Sequence, residues 1–171
     1  MTLFELFSFV TNIKLEFMDD VKFKNVRFDP DLTPFHKLAE QMAESFGYKS
    51  ELDIDKKLAQ LIRLRVAQRN ECAYCIILHS QVAREIGIPL SKIDNISSWW
   101  NSELFTEREK ISLSYCDVLT IGTHKNFQIY HDAMCKHFSQ TEIAEIAAII
   151  INMNVWTRLK LAQGQIPTYN V

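Results

Sequence analysis

Residues 139–164 read SQTEIAEIAAIIINMNVWTRLKLAQG, a run that meets no proline and no glycine before Gly164. Ser139 and Glu142 stand at the capping-box spacing, in which a hydroxyl accepts an amide of the first turn and a carboxylate reaches back to the amide of the cap. Past that start, Ile143, Ile146, Ala147, Ile149, Ile150 and Ile151 leave the helix apolar almost all round. Such a helix is buried on several sides. In a chain of 171 residues it predicts a central core helix, or one that also lines a subunit contact. A homo-oligomer is therefore expected, whether dimer, trimer or hexamer.

The helical period continues in both directions. Thr33 and Pro34 read as an N-cap and a first helical position, followed by Phe35, Leu38, Ala39, Met42, Ala43 and Phe46 at helical spacing up to Gly47. Leu58, Leu61, Ile62 and Val66 predict a helix from Asp55 to Arg69. Cys72 to Ile86 sets Cys75, Leu78, His79, Val82 and Ile86 on one stripe, which Gly87 and Pro89 close. Thr106 and Glu109 repeat the capping box, and Asn126 to Phe138 places Phe127, Tyr130, Met134 and Phe138 on a common side. At the start, Leu3, Phe4, Leu6, Phe7, Phe9 and Val10 suggest a short helix or arm within residues 1–29, ahead of one helical domain over 30–171.

Composition narrows the class. Only four glycines and four prolines occur, too little punctuation for the many turns of an all-β fold. The expectation is an all-α, single-domain bundle of about six to eight helices. Hydrophobic residues at 47% and charged residues at 23% exclude a disordered or collagen-like chain. Nineteen basic against twenty-one acidic residues give a net charge of -2, so neither nucleic acid nor an anionic membrane is expected as a partner. No apolar run reaches the roughly 18–20 residues of a membrane span, and Met1 to Val10 lacks the positive first region of a signal peptide. Four cysteines are too few for a disulfide scaffold. A reducing, cytoplasmic setting follows, where a close cysteine pair is more often catalytic or metal-binding than structural.

One such pair is present. Glu71-Cys72-Ala73-Tyr74-Cys75-Ile76-Ile77-Leu78-His79 places Cys-x-x-Cys-x-x-x-His at a predicted helix start. Positions three and seven residues apart share one helix face, so Cys72, Cys75 and His79 form a single stripe. Amides at the helix N-terminus favour a thiolate over a thiol, and a histidine one turn beyond Cys75 can exchange a proton near neutral pH. Three readings fit these residues. A redox dithiol is favoured. Structural zinc would use the same atoms but wants four ligands, and of Cys116, Cys135, His124, His131 and His137 only Cys135 and His131 stand one turn apart. His36 adds no complete ligand set. The third reading is two buried helix cysteines and a satisfied histidine.

The stretch from Leu61 through Ile62-Arg63-Leu64-Arg65-Val66-Ala67-Gln68-Arg69-Asn70-Glu71-Cys72-Ala73-Tyr74-Cys75 to His79 resembles the core of the carboxymuconolactone decarboxylase / alkylhydroperoxidase D-like family. Trp99-Trp100, Phe105-Thr106-Glu107-Arg108-Glu109 and Asn154-Val155-Trp156-Thr157-Arg158-Leu159 are similar to it as well, and the likeness spans roughly residues 30 to 165. The resemblance implies an alkylhydroperoxidase D-like helical fold, oligomers, and a peroxidase in which one cysteine attacks the hydroperoxide and the other resolves the sulfenic acid as a disulfide. An external dithiol of lipoyl or thioredoxin type would restore it. The matching positions imply Cys75 as attacking thiol, Cys72 as resolving partner and His79 in proton transfer. Proximity to His79 also favours Cys75, whereas helix-terminus logic favours Cys72.

The chain departs from the family at two site positions. A glutamate works as base through a water twelve residues before the first cysteine, and Gln60 stands there; an amide can orient a water but not hold its proton. Tyr74 occupies the place between the cysteines where a histidine can assist, and a phenol is a poor base at neutral pH. Glu71 reads as a solvent-facing turn carboxylate. Trp99, Trp100 and Trp156 read as core or interface anchors, and one of Arg63, Arg65 and Arg69 could raise the positive potential beside a thiolate. The resulting expectation is a thiol-dependent peroxidase that cycles Cys72 and Cys75 between dithiol and disulfide and needs no metal or organic cofactor. The alternatives are a carboxymuconolactone decarboxylase-type lyase and a non-enzymatic zinc-binding or redox-sensing module.

Overall fold

The computed structural model describes residues 21–122 and 126–169. The apolar segment from Leu3 to Val10 and the candidate ligand His124 lie outside them. Chain order is β1 (Val21–Asn25), α1 (Phe35–Phe46), α2 (Lys56–Arg69), α3 (Ala73–Glu85), α4 (Leu90–Asn95), α5 (Glu107–Ile121), α6 (Phe127–Cys135), α7 (Gln140–Gln163) and β2 (Gln165–Tyr169), with 3-10 turns at Pro30–Leu32 and Ile96–Asn101. The architecture is the expected helical bundle, with one two-stranded ribbon that the helical period does not foretell. No helix among the described residues is long and apolar enough to cross a membrane.

Local chemistry explains most of the helix starts. The Asp55 carboxylate accepts the amides of Lys57 and Leu58 at 3.0 and 2.9 Å and starts α2. Both capping boxes form, Thr106 with Glu109 on α5 and Ser139 with Glu142 on α7. Two boundaries differ from expectation. Pro34 rather than Thr33 is the cap of α1, while the Thr33 hydroxyl accepts the Phe35 amide at 3.3 Å. α6 stops at Cys135, and Phe138 enters the core from beyond its end under the Arg108 guanidinium, 4.1 Å from the ring centre.

The most enclosed element is α2, buried without interruption from Leu58 to Ala67. It packs against α3, α5 and α7. α7, the apolar helix of residues 139–164, lies alongside it with Ile146, Ile149 and Ile150 inward and Ile151 turned to solvent. One face of α2 offers Ile62 and Val66 to Ile146 and its neighbours; the other offers Leu61 and Leu64 to Ile88, Ile96 and Leu113. Each fully buried aliphatic side chain contributes about 1.5–3 kcal/mol relative to exposure. Arg65 crosses this core as a fork, with Nε donating to Asp117 Oδ1 at 2.6 Å and Nη2 to Oδ2 at 2.7 Å, and the Trp99 indole donates to the same carboxylate at 3.1 Å.

The ribbon closes the chain on itself. β1 and β2 run antiparallel with Val21 opposite Tyr169 and Asn25 opposite Gln165. Gly164 makes the join: at φ +68 it ends α7 in the left-handed region, and a Cβ there would meet Val26 and Arg27 side-chain atoms at 2.8 and 2.9 Å. Both requirements select glycine. The ribbon bears on the region around Cys72 through Phe23, whose ring meets Tyr74 edge-on at 4.7 Å.

Candidate functional site

The turn between α2 and α3 sets the cysteine pair. Glu71 takes a positive φ of 53°, and Cys72 follows in an extended conformation as the cap of α3, its amide bonded to the Ala67 carbonyl at 3.1 Å. The Cys72 sulfur then does what a serine or aspartate oxygen does at other helix starts: it accepts the Cys75 amide, at 3.4 Å. Both sulfurs belong to free thiols of buried residues. The thiol of Cys75 shares its proton toward Cys72, which lowers the Cys72 pKa and raises that of Cys75. The amides of Cys75 and Tyr74 and the ammonium of Lys160 assist the Cys72 thiolate.

Beside the pair lies a cleft of about 270 Å³. Cys75, Leu78 and His79 of α3 form one wall, and Asn152, Trp156 and Lys160 of α7 another. These last three recur at i, i+4 and i+8, one face of a helix. Arg63 of α2 and Tyr48 complete the interior, with His36 and Glu40 of α1 also lining it. His36 is held by Asp31, Nδ1 to Oδ1 at 2.7 Å, and its ring stands edge-on to Trp156 at 5.7 Å.

His79 is fixed in a neutral state. The Gln60 amide nitrogen donates to the His79 carbonyl at 2.8 Å and lies 3.1 Å from its Nδ1. That contact makes Nδ1 the acceptor and leaves the ring hydrogen on Nε2. Burial first, and the Arg63 guanidinium second, pull the His79 pKa down to about 3. Enclosed as it is, His79 stays neutral near neutral pH and offers its Nε2–H as a hydrogen-bond donor. Tyr74 stays a neutral phenol, its pKa raised chiefly by burial, and its ring carries Lys160 Nζ at 5.0 Å.

The structure therefore brings Cys72, Cys75, His79, Gln60 and Tyr74 together. Of the three arginines, Arg63 reaches the cleft, donating from Nη2 to the carbonyls of Phe46 and Gly47 at 3.1 and 2.8 Å, while Arg65 and Arg69 turn to Asp117. Trp99 is an internal anchor through Asp117 and Trp100 is largely exposed. Trp156 is a cleft wall rather than a core anchor. Sequence reasoning missed His36, Asn152 and Lys160. The signal for the latter two was there: polar residues eight apart interrupting the buried side of an otherwise apolar helix. Cys116 is a fully enclosed thiol, with its pKa raised by burial. Among the described residues no three His, Cys, Asp or Glu side chains converge to hold a metal ion.

Comparison with known proteins bears on the fold and the family. A family model described as carboxymuconolactone decarboxylase family matches residues 35–116. Uncharacterized protein YdfG of Bacillus subtilis is 28% identical over 125 residues, 72% of this chain and 84% of that one. A crystal structure of a protein of unknown function from Agrobacterium tumefaciens superposes with a TM-score of 0.76 at 24% identity, over 86% of this chain and 99% of the other. An uncharacterized peroxidase-related protein from Ralstonia eutropha, described as an alkylhydroperoxidase AhpD core, gives 0.68 at 16% identity over 77% and 70%. The structural likenesses show the fold, and the family model supports that family over residues 35–116.

Proposed function

We propose that this chain is a thiol-dependent peroxidase of the carboxymuconolactone decarboxylase family, with Cys72 and Cys75 as its working dithiol. The observation that carries the reading is the cap itself: two thiols three residues apart, one accepting the other's amide, at the edge of a cleft lined by Cys75. The peroxidase-related neighbour supports it.

The chemistry balances with the residues present. Cys75 faces the cleft and attacks the terminal oxygen of a hydroperoxide as its proton passes to the Cys72 sulfur. The O–O bond breaks, the alkoxide takes the proton now on Cys72 and leaves as the alcohol, and Cys75 becomes a sulfenic acid. The His79 Nε2–H is the donor that faces developing negative charge in a site whose burial strengthens such contacts. Cys72, deprotonated again, attacks the Cys75 sulfur; hydroxide departs, takes a proton from solvent to become water, and the disulfide forms. Two exchange steps with an external dithiol return both thiols and release that donor as its own disulfide.

The reading places the protein in a reducing cytoplasm and in a homo-oligomer, for which the exposed apolar row Phe35, Leu38 and Met42 on α1 offers a surface; sedimentation of the purified chain tests that part. The function is tested by steady-state consumption of an organic hydroperoxide with reduced lipoate as donor. Turnover that disappears when Cys72 and Cys75 are both replaced by serine supports it. Unchanged turnover in that double variant refutes it.

A further inference from the structure

We propose that Lys160 is the positioning cation of the Cys72 and Cys75 pair, held between the Tyr74 and Trp156 rings in the cleft that Cys75 also lines. The proposal rests on reading the pair as a reactive dithiol, and adds a residue from the far end of α7 that the cysteine motif does not contain.

The geometry is unusual for a lysine. Lys160 is 9% exposed, and its Nζ lies 5.0 Å from the Tyr74 ring centre and 5.3 Å from that of Trp156. Aromatic faces attract a cation but do not neutralise it. Lys160 forms no ion pair with any carboxylate among the described residues. A buried ammonium so placed is stabilised by a nearby anion, and Cys75 lines the same cleft.

The other charged and titratable groups around the cleft do not take this part. Arg63 is engaged with two backbone carbonyls and bears on His79. Asp31 and Glu40, from the turn before α1 and from α1, act on Lys160 and support its positive charge. His36 is committed to Asp31. Tyr48 stands edge-on to His79 at 6.1 Å, and Tyr74 is held neutral by burial. Burial pulls the Lys160 pKa down, and the two sulfurs oppose that pull; in return the Lys160 charge favours the thiolate at Cys72 and partly offsets the upward push on Cys75. The helix amides are the second, separate source of thiolate stabilisation.

The readout is therefore the first ionisation of the reduced pair, followed by iodoacetamide alkylation against pH with peptide mapping of Cys72 and Cys75. Lys160→Met and Lys160→Gln remove the charge and Lys160→Arg keeps it, with far-UV circular dichroism reporting the fold of each. An opposite charge at such range is worth about one pH unit, so alkylation near neutral pH should fall about tenfold in Met and Gln and stay within about twofold in Arg. A midpoint unchanged in whichever of the neutral variants folds, or moved as far in Arg as in Met, overturns the proposal. The alkylation profile does not require peroxidase turnover. A wild type that consumes no hydroperoxide while Lys160→Met still shifts the midpoint would refute the proposed function and leave the role of Lys160 standing.

Discussion

The sulfur of Cys72 caps the helix that carries Cys75, accepting the Cys75 amide at 3.4 Å. The Cys75 thiol shares its proton toward the same sulfur, and the two contacts together favour negative charge on Cys72 and leave the proton on Cys75, the thiol that lines the cleft. Access and charge therefore fall on different sulfurs, and a proton passed between them reconciles the two.

The division of labour between the cysteines follows. With Cys72 replaced by serine, Cys75 should still react once with hydroperoxide and stop at a sulfenic acid that dimedone traps. With Cys75 replaced by serine, dimedone labelling should be lost. Trapping at Cys72 in the second variant, and none at Cys75 in the first, would reverse the roles.

Gln60 holds His79 through its ring and its carbonyl, both contacts buried. Gln60→Ala abandons them and leaves buried polar groups without partners, which costs about 1–3 kcal/mol in urea unfolding. Gln60→Glu puts a base where the resembling family keeps one. Dithiol oxidation by hydroperoxide should quicken by about tenfold or more in stopped-flow; a slower or unchanged rate would show that a base at position 60 takes no part in proton transfer.

Acid stability reads the same histidine. The folded pKa of His79, about 3, lies below the roughly 6.5 of an unfolded chain. The unfolded state thus binds more protons between those values, and stability that is complete above about pH 6.5 drains away as pH falls toward 3. From pH 7 to pH 4.5 the loss from this group is about 2–3 kcal/mol. His79→Phe should flatten that slope in denaturant unfolding at the two pH values.

Asp117 anchors the opposite side of α2. Asp117→Ala strands the Arg65 guanidinium, whose side chain is 5% exposed, and also frees the Trp99 indole. Removing one partner of a buried pair costs about 3–5 kcal/mol. Chemical denaturation measures it, and peroxide chemistry on the far side of the helix should persist in the folded fraction.

The helices and the cysteine stripe were legible because their causes are local. Thr106 with Glu109, Ser139 with Glu142 and Asp55 before Lys56 carry their caps within four residues, and Cys75 and His79 need only the helical period to share a face, with Cys72 as the cap before them. What was not legible depends on distant parts of the chain. β1 finds β2 across some 140 positions, so the short runs Val21–Asn25 and Gln165–Tyr169 give no helical or hairpin signal alone. Thr33 looked like a cap, but Pro34 takes that position. His79 has a spacing that suggests a proton carrier, yet its pKa is decided by burial and by Arg63, both products of tertiary packing. Lys160 is more than eighty residues from the cysteines, and only the docking of α7 beside α3 brings its charge to them.

In the proposed cycle Cys72 and Cys75 join and part. Peptide mass mapping after one equivalent of organic hydroperoxide, with and without a dithiol reductant, tests it directly. The account predicts that the peptide bearing Cys72 and Cys75 loses two hydrogens, regains them with the dithiol, and loses none in either serine variant. Oxidation confined to Cys116 or Cys135 would contradict it.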